Sequence, residues 1–255
     1  MLLHSSHIVR SLKMCRGCLF FFGGPMHQSK NPFRTLSRFE LCLWLVSIAV
    51  VTLSFLFADE KDLLTLSASL IGVTALIFVA KGYVIGQLLI VAFAVFYGFI
   101  SFYQQYYGEM ITYLGMSAPI AVMGVVSWLK NPYGDSKEVA VGKMTRKTTV
   151  LLFLCTAAVT LLFYFILRAL DNASLLFSTL SVATSFLAAS LTFLRSPYYA
   201  VAYAANDVVL IVLWIIAARE DLSALPMIFC FSMFLINDIY GFISWKRMEK
   251  KQTQG

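Results

Sequence analysis

Charged side chains are what this sequence lacks. Asp, Glu, Lys and Arg make up 13% of its 255 residues, whereas a soluble domain carries about a quarter. Histidine is scarcer still: His4, His7 and His27 all lie in the N-terminal segment. No His-Glu-x-x-His and no Gly-x-Ser-x-Gly occurs, so the common zinc-hydrolase and serine-hydrolase patterns are excluded. No Walker motif occurs either, which leaves no ATP site. The cysteines, Cys15, Cys18, Cys42, Cys155 and Cys230, are too scattered for a disulfide framework. Cys15-Arg-Gly-Cys18 lacks the second ligand pair that a zinc site needs. No metal and no cofactor is expected.

What fills the chain is apolar: 60% of it is hydrophobic, in runs long enough to cross a bilayer. Eight spans are expected, at 39–58, 63–80, 83–103, 107–129, 149–170, 174–193, 197–218 and 222–245. The fold class is therefore an all-α polytopic membrane protein. Its net charge of +7 is a topology signal rather than a nucleic-acid footprint, because no basic patch is interleaved with exposed aromatics. With the N-terminus inside, 17 of the 20 Lys and Arg fall on cytoplasmic segments; only Lys61, Arg168 and Arg219 fall outside. Seven of the 13 acids, among them Asp59, Glu60, Asp62, Glu109 and Asp171, lie outside or at the outer boundary. That asymmetry puts both termini in the cytoplasm and brings the basic face to anionic lipid. Residues 1–38 read as a basic tail, with Met26 as an alternative start.

Met-Gly-Val-Val-Ser-Trp at 123–128 matches Tyr-Gly-Phe-Ile-Ser-Trp at 240–245, an offset of 117 positions. Four spans separate the copies, an even number, so both have the same orientation. The expected organisation is 1+3+1+3: a tail (1–38), an extra helix (39–62), a three-helix repeat (63–130), a loop and linker helix (131–173), a second repeat (174–248) and a short C-terminal tail (249–255). Parallel repeats of this kind build transporters with the substrate between the halves. Trp128 and Trp245 are expected at the membrane interface, in the aromatic-belt position.

Two Asn-Asp pairs interrupt the last two spans. Asn206-Asp207 begins nine residues into span seven, and Asn237 stands nine residues before Lys246. At 1.5 Å per residue both lie about 13–14 Å deep, near the middle of a core about 30 Å thick. No Lys or Arg lies in the interior of a span to neutralise the aspartates. Ionisable groups at that depth face a cavity or pair with one another and mark function; interhelical polar bonding is the alternative role. At offset 117 their partners are Leu89-Ile90 and Ile120-Ala121, so the polar chemistry belongs to the second half. The first half offers Gln87, Tyr97, Tyr103, Tyr106 and Tyr107.

Tyr-Tyr-Gly-Glu-Met (106–110), the stretch 195–214 around Asn206-Asp207, and Leu-Ile-Asn-Asp-Ile-Tyr-Gly-Phe-Ile-Ser-Trp (235–245) carry a resemblance. Over residues 63–248 the chain resembles the PnuC family of bacterial nicotinamide riboside transporters. The resemblance implies a SWEET-like fold in the bacterial inner membrane and facilitated uptake of a vitamin-like nucleoside, trapped when a cytoplasmic kinase phosphorylates it. It implies a site from Asn206, Asp207, Asn237 and Asp238, with Trp214, Tyr240, Gln87 and Tyr97 around the ligand. Tyr198, Tyr199 and Tyr203 stand where a Trp-rich segment is expected, and relatives carry thiamine or riboflavin, so these vitamins stay as alternatives. A proton-coupled nucleoside carrier, a paired-aspartate intramembrane protease (whose Gly-x-Gly-Asp is missing) and a non-catalytic assembly protein are the other classes. A homo-oligomer is compatible with all of these features.

Overall fold

The structure is a computed structural model, and it describes residues 31–56, 63–103, 107–172, 174–219 and 222–254. The three histidines, Cys15, Cys18, Met26, the acidic 57–62 segment with Lys61, Tyr106 and the Tyr107 side chain lie outside that description. Every long element is a helix: α1 (Arg38–Leu56), α2 (Leu63–Ala80), α3 (Val84–Tyr103), α4, α5 (Arg146–Ala169), α6 (Leu175–Phe193), α7 (Tyr199–Ala217) and α8 (Leu225–Gln254). Helix α4 is composite: α-helical over Tyr107–Ile111, π-helical over Thr112–Ser117, then α-helical over Ala118–Lys130. Among the described residues, eight helices are long and apolar enough to cross a membrane.

The chain divides into two compact units, Met1–Leu41 and Cys42–Gly255. In the first, Ser37-Arg-Phe-Glu40 makes a reciprocal cap. Glu40 N–H donates to Ser37 Oγ (3.2 Å) and Ser37 N–H donates to Glu40 Oε2 (2.6 Å), which satisfies two end donors and starts α1. The second unit holds the bundle. Sequential neighbours α2 and α3, α6 and α7, and α7 and α8 pack together, and two further pairs, α2 with α8 and α4 with α6, join the ends of the order. Those last two contacts exchange with each other when the first three-helix set is mapped onto the second. Helix α5 buries only Leu152, Phe163 and Leu167 and exposes Leu151, Phe153, Leu154, Leu161, Leu162 and Phe165, the composition of a lipid-facing surface.

The turns joining α2 to α3 and α6 to α7 are built alike. Gly82 N–H donates to Val79 O and Tyr83 N–H to Phe78 O; Arg195 N–H donates to Thr192 O and Ser196 N–H to Leu191 O. Gly82 and Arg195, 113 positions apart, both take positive φ, 68° and 57°. This left-handed conformation is free for glycine and costly for arginine. The sequence register therefore needs correcting here. The 117 offset fits α4 and α8, but the turns align at 113, so the positions equivalent to Asn206 and Asp207 in the first half are Phe93 and Ala94. Both partners are still apolar.

The tryptophans also depart from expectation. Trp128 and Trp245 are 1% and 0% exposed, with ring centroids 5.4 Å apart. They are core residues rather than interface anchors. Trp128 Nε1 donates to Thr192 O (3.0 Å) and Trp245 Nε1 donates to Val79 O (2.8 Å). Each indole thus bonds the other half's turn, and each satisfies a buried donor that would otherwise be costly.

A strap runs beneath these turns. Val139 N–H donates to Gly82 O and Gly142 N–H to Arg195 O, both at 2.9 Å. A Cβ on Gly142 would lie 2.1 Å from Leu194 O, so only glycine fits that crossing. Residues 249–254, expected as a tail, instead extend α8 and hold the strap. Gln252 accepts from Val141 N–H (2.8 Å) and donates to Val139 O (3.1 Å). This end, with Lys81, Lys130, Arg195 and Lys246, is the basic end of the bundle.

Candidate substrate site

The Asn-Asp pairs divide into three separate arrangements. Asp207 on α7 and Asp238 on α8, each 3% exposed, are hydrogen-bonded to each other. Asp207 Oδ2 is buried without a partner among the described residues. Asn206 turns to α6, where the hydroxyls of Ser181, Thr184 and Ser185 converge on its Oδ1 at 3.2, 2.9 and 3.0 Å. Asn237 turns to α1: its Nδ2 donates to Ser47 Oγ (3.0 Å) and to Met233 O (2.8 Å). The extra helix outside the repeats thus reaches the polar centre.

Beside Asn206 opens a cleft of about 400 Å³, its mouth included, between the start of α4 and the halves of α6 and α7 far from the basic end. Its polar wall is Glu109, Thr112, Tyr113, Asn172, Ser178, Ser181 and Ser185; Leu167, Val182, Leu210 and Leu213 supply the apolar part. Gly108 sets the wall's position, because a Cβ there would lie 2.7 Å from Leu167 Cδ2 and block the seating of α4 on α5. The π-helical stretch follows at once, and Thr112 Oγ1 donates to Gly108 O (2.9 Å). Irregular turns of this kind concentrate at functional sites.

An aromatic layer backs the cleft. Tyr97 and Tyr113 have ring centroids 4.5 Å apart, and Phe93 lies 5.6 Å from Tyr97, 6.1 Å from Tyr113 and 5.9 Å from Phe234. The Tyr97 hydroxyl is bonded to Glu109, and Tyr113 lies within electrostatic range of both Glu109 and Asp207. A family model described as nicotinamide mononucleotide transporter matches residues 62–247, all of this framework.

The chain belongs to that family. The family is one of membrane transporters, not enzymes, so the protease reading falls away. The chain is 23% identical over 222 residues to the nicotinamide riboside transporter PnuC of Neisseria mucosa, covering 85% of this chain and 84% of that protein. It is 24% identical over 212 residues to the protein of the same name from Haemophilus influenzae, covering 82% and 90%. The crystal structure of the vitamin B3 transporter PnuC matches with a TM-score of 0.73 at 24% identity, over 85% of this chain and 94% of that one, which establishes the shared fold.

Within this transporter fold none of the expected site residues lies on the cleft wall, and two of them, Asn206 and Tyr97, bond residues that do. Asn206 is bonded to wall residues Ser181 and Ser185, and Tyr97 to wall residue Glu109. Trp214 lies in the apolar core with its Nε1 unpartnered among the described residues. Gln87 is 2% exposed and its Oε1 lies over Gly124, 3.0 Å from where a Cβ would be. Tyr240 is half-buried on α8. Tyr199 packs edge-on against Trp245, ring centroids 5.1 Å apart, so it serves the basic end. Sequence reasoning missed Glu109, Ser178, Ser181 and Ser185. The spacing of these serines on α6, a polar stripe at helical intervals in an apolar span, was the available signal.

Proposed function

We propose that this protein mediates facilitated uptake of nicotinamide riboside across a bacterial cytoplasmic membrane, with both termini inside. The substrate is bound by the cleft together with Asn206, Asp207, Asn237, Asp238 and the surrounding Trp214, Tyr240, Gln87 and Tyr97. What carries the reading is the chemistry of the cleft wall: hydroxyls, one carboxylate, and no Lys or Arg. Ribose hydroxyls find donors and acceptors there, and a pyridinium ring finds negative charge and tyrosine faces. The phosphate of a mononucleotide would instead meet a carboxylate with no cation to offset it, which is costly away from water. A riboside is therefore favoured over a nucleotide. The relatives' names point the same way. Phosphorylation by a cytoplasmic kinase would remove the free riboside and sustain net inward flow, and no ATP motif is needed in this chain. The excess of basic residues on one side supports the orientation.

Titration of the purified protein with nicotinamide riboside, its mononucleotide, thiamine and riboflavin tests the proposal. The riboside should bind tightest, with the mononucleotide weaker by at least about tenfold, a difference of about 1.4 kcal/mol. Preferred binding of thiamine or riboflavin would replace the ligand and keep the transporter. An imposed pH gradient should leave uptake into proteoliposomes unchanged; stimulation by it would favour the proton-coupled carrier.

A further inference from the structure

We infer that Glu109 is the residue by which this transporter selects a positively charged ligand over a neutral one of the same shape. The inference rests on the transporter reading above and deepens it by assigning the charge recognition to one side chain. Asp207 and Asp238 are the other carboxyl groups buried among the last two helices. In the structure they are bonded to each other, and neither lies on the cleft wall. Glu109 is the charged residue of that wall.

Its surroundings fit the role. Glu109 is bonded to the hydroxyl of Tyr97, and among the described residues no Lys or Arg pairs with it. A carboxylate without a counter-ion in a partly enclosed cleft attracts a cation more strongly than it would in free solution. Facing Glu109 across it are Ser178, Ser181 and Ser185 on α6. Their hydroxyls are engaged with Asn172 and Asn206 at 3.0–3.2 Å, and each oxygen keeps capacity to accept from a ligand hydroxyl. Tyr97 and Tyr113, their ring centroids 4.5 Å apart, both lie within electrostatic range of the carboxylate. The arrangement suits a flat organic cation carrying hydroxyl groups: charge toward α4, hydroxyls toward α6.

A purely structural role, fixing Tyr97 in place, makes a different prediction. Loss of that role would weaken every ligand alike. The discriminating quantity is the ratio of affinities for nicotinamide riboside and for its reduced dihydro form, which keeps the ribose but has an uncharged ring. Wild-type protein should prefer the cation. Glu109→Gln, which retains size and a hydrogen bond to Tyr97, should lower that ratio by at least about tenfold while the neutral form's affinity stays within about threefold. Tyr97→Phe, which keeps the carboxylate, should leave the ratio within about threefold of wild type. An unchanged ratio in Glu109→Gln overturns the inference. Equal wild-type affinity for the two forms overturns it too, and that measurement needs no variant to fold. If wild type binds neither form, the ligand reading fails. The ratio is then read with thiamine against its neutral thiophene analogue, and no binding or equal binding there overturns the inference as well.

Discussion

The two ends of this bundle are built on opposite plans. At the basic end two tryptophans pack against each other at a tilt, two turns share one hydrogen-bond pattern, and a strap is tied to both of them. At the other end a cleft is held open by hydroxyls, an amide and a carboxylate. The first is crowded to the point where a single added methyl group has no room; the second has space and unspent hydrogen-bonding capacity. The difference shows where the fold is over-determined and where it is free to accept something else. Stability should therefore respond to change at one end, and ligand recognition to change at the other.

Trp245→Ala should give the largest loss of stability, about 3–5 kcal/mol, because it removes a fully packed indole and its bond to Val79 O. Thermal unfolding in detergent measures this, and a loss below about 1 kcal/mol would mean that the tryptophan stack is not what closes the basic end. Gly142→Ala comes next, at about 1–3 kcal/mol, since its methyl group collides with Leu194 O. The strap should then exchange its amide hydrogens faster at Val139 and Gly142 while α6 keeps its protection. Ser178→Ala on the cleft wall should cost least, no more than about 1 kcal/mol, because its hydroxyl bonds a half-exposed amide oxygen. That variant should instead lower ligand affinity; if it proved as destabilising as Trp245→Ala, the contrast between the two ends would be lost.

Much of the framework was legible in the sequence, because a membrane leaves few options. Apolar runs of bilayer length with charge confined to their ends can only be helices, and the spans read from the sequence match the helices within a few residues, except that α8 runs on to Gln254, nine residues past the end read for the last span. The Gly-x-x-Ser-Trp match located real counterparts in Trp128 and Trp245. What it could not give was their environment: a tryptophan beside a lysine reads as an interface anchor until a second tryptophan is seen against it. The register slipped for a similar reason. A gap of four residues between the turns and the last helices is invisible when most positions are Leu, Ile, Val or Ala.

The site was half legible. Depth alone brought Asp207 and Asp238 together, since two carboxyls at one level on adjacent helices have little else to meet. Depth did not say that Asn237 turns to Ser47 on α1 and Asn206 to the α6 hydroxyls, because rotation about a helix axis is set by neighbours that lie far away in sequence. Glu109 was counted as a boundary charge from its position near a span end. Only the tight seating of Gly108 on Leu167 brings it inward to the cleft.

The crossed indole bonds have a mechanical consequence. Each half of the molecule grips the other through one N–H, and the grips are reciprocal. Parting the halves at that end ruptures both together and unstacks the rings in the same movement. A passage that opened there would have to give up both bonds, so the shut form is held by two grips rather than one.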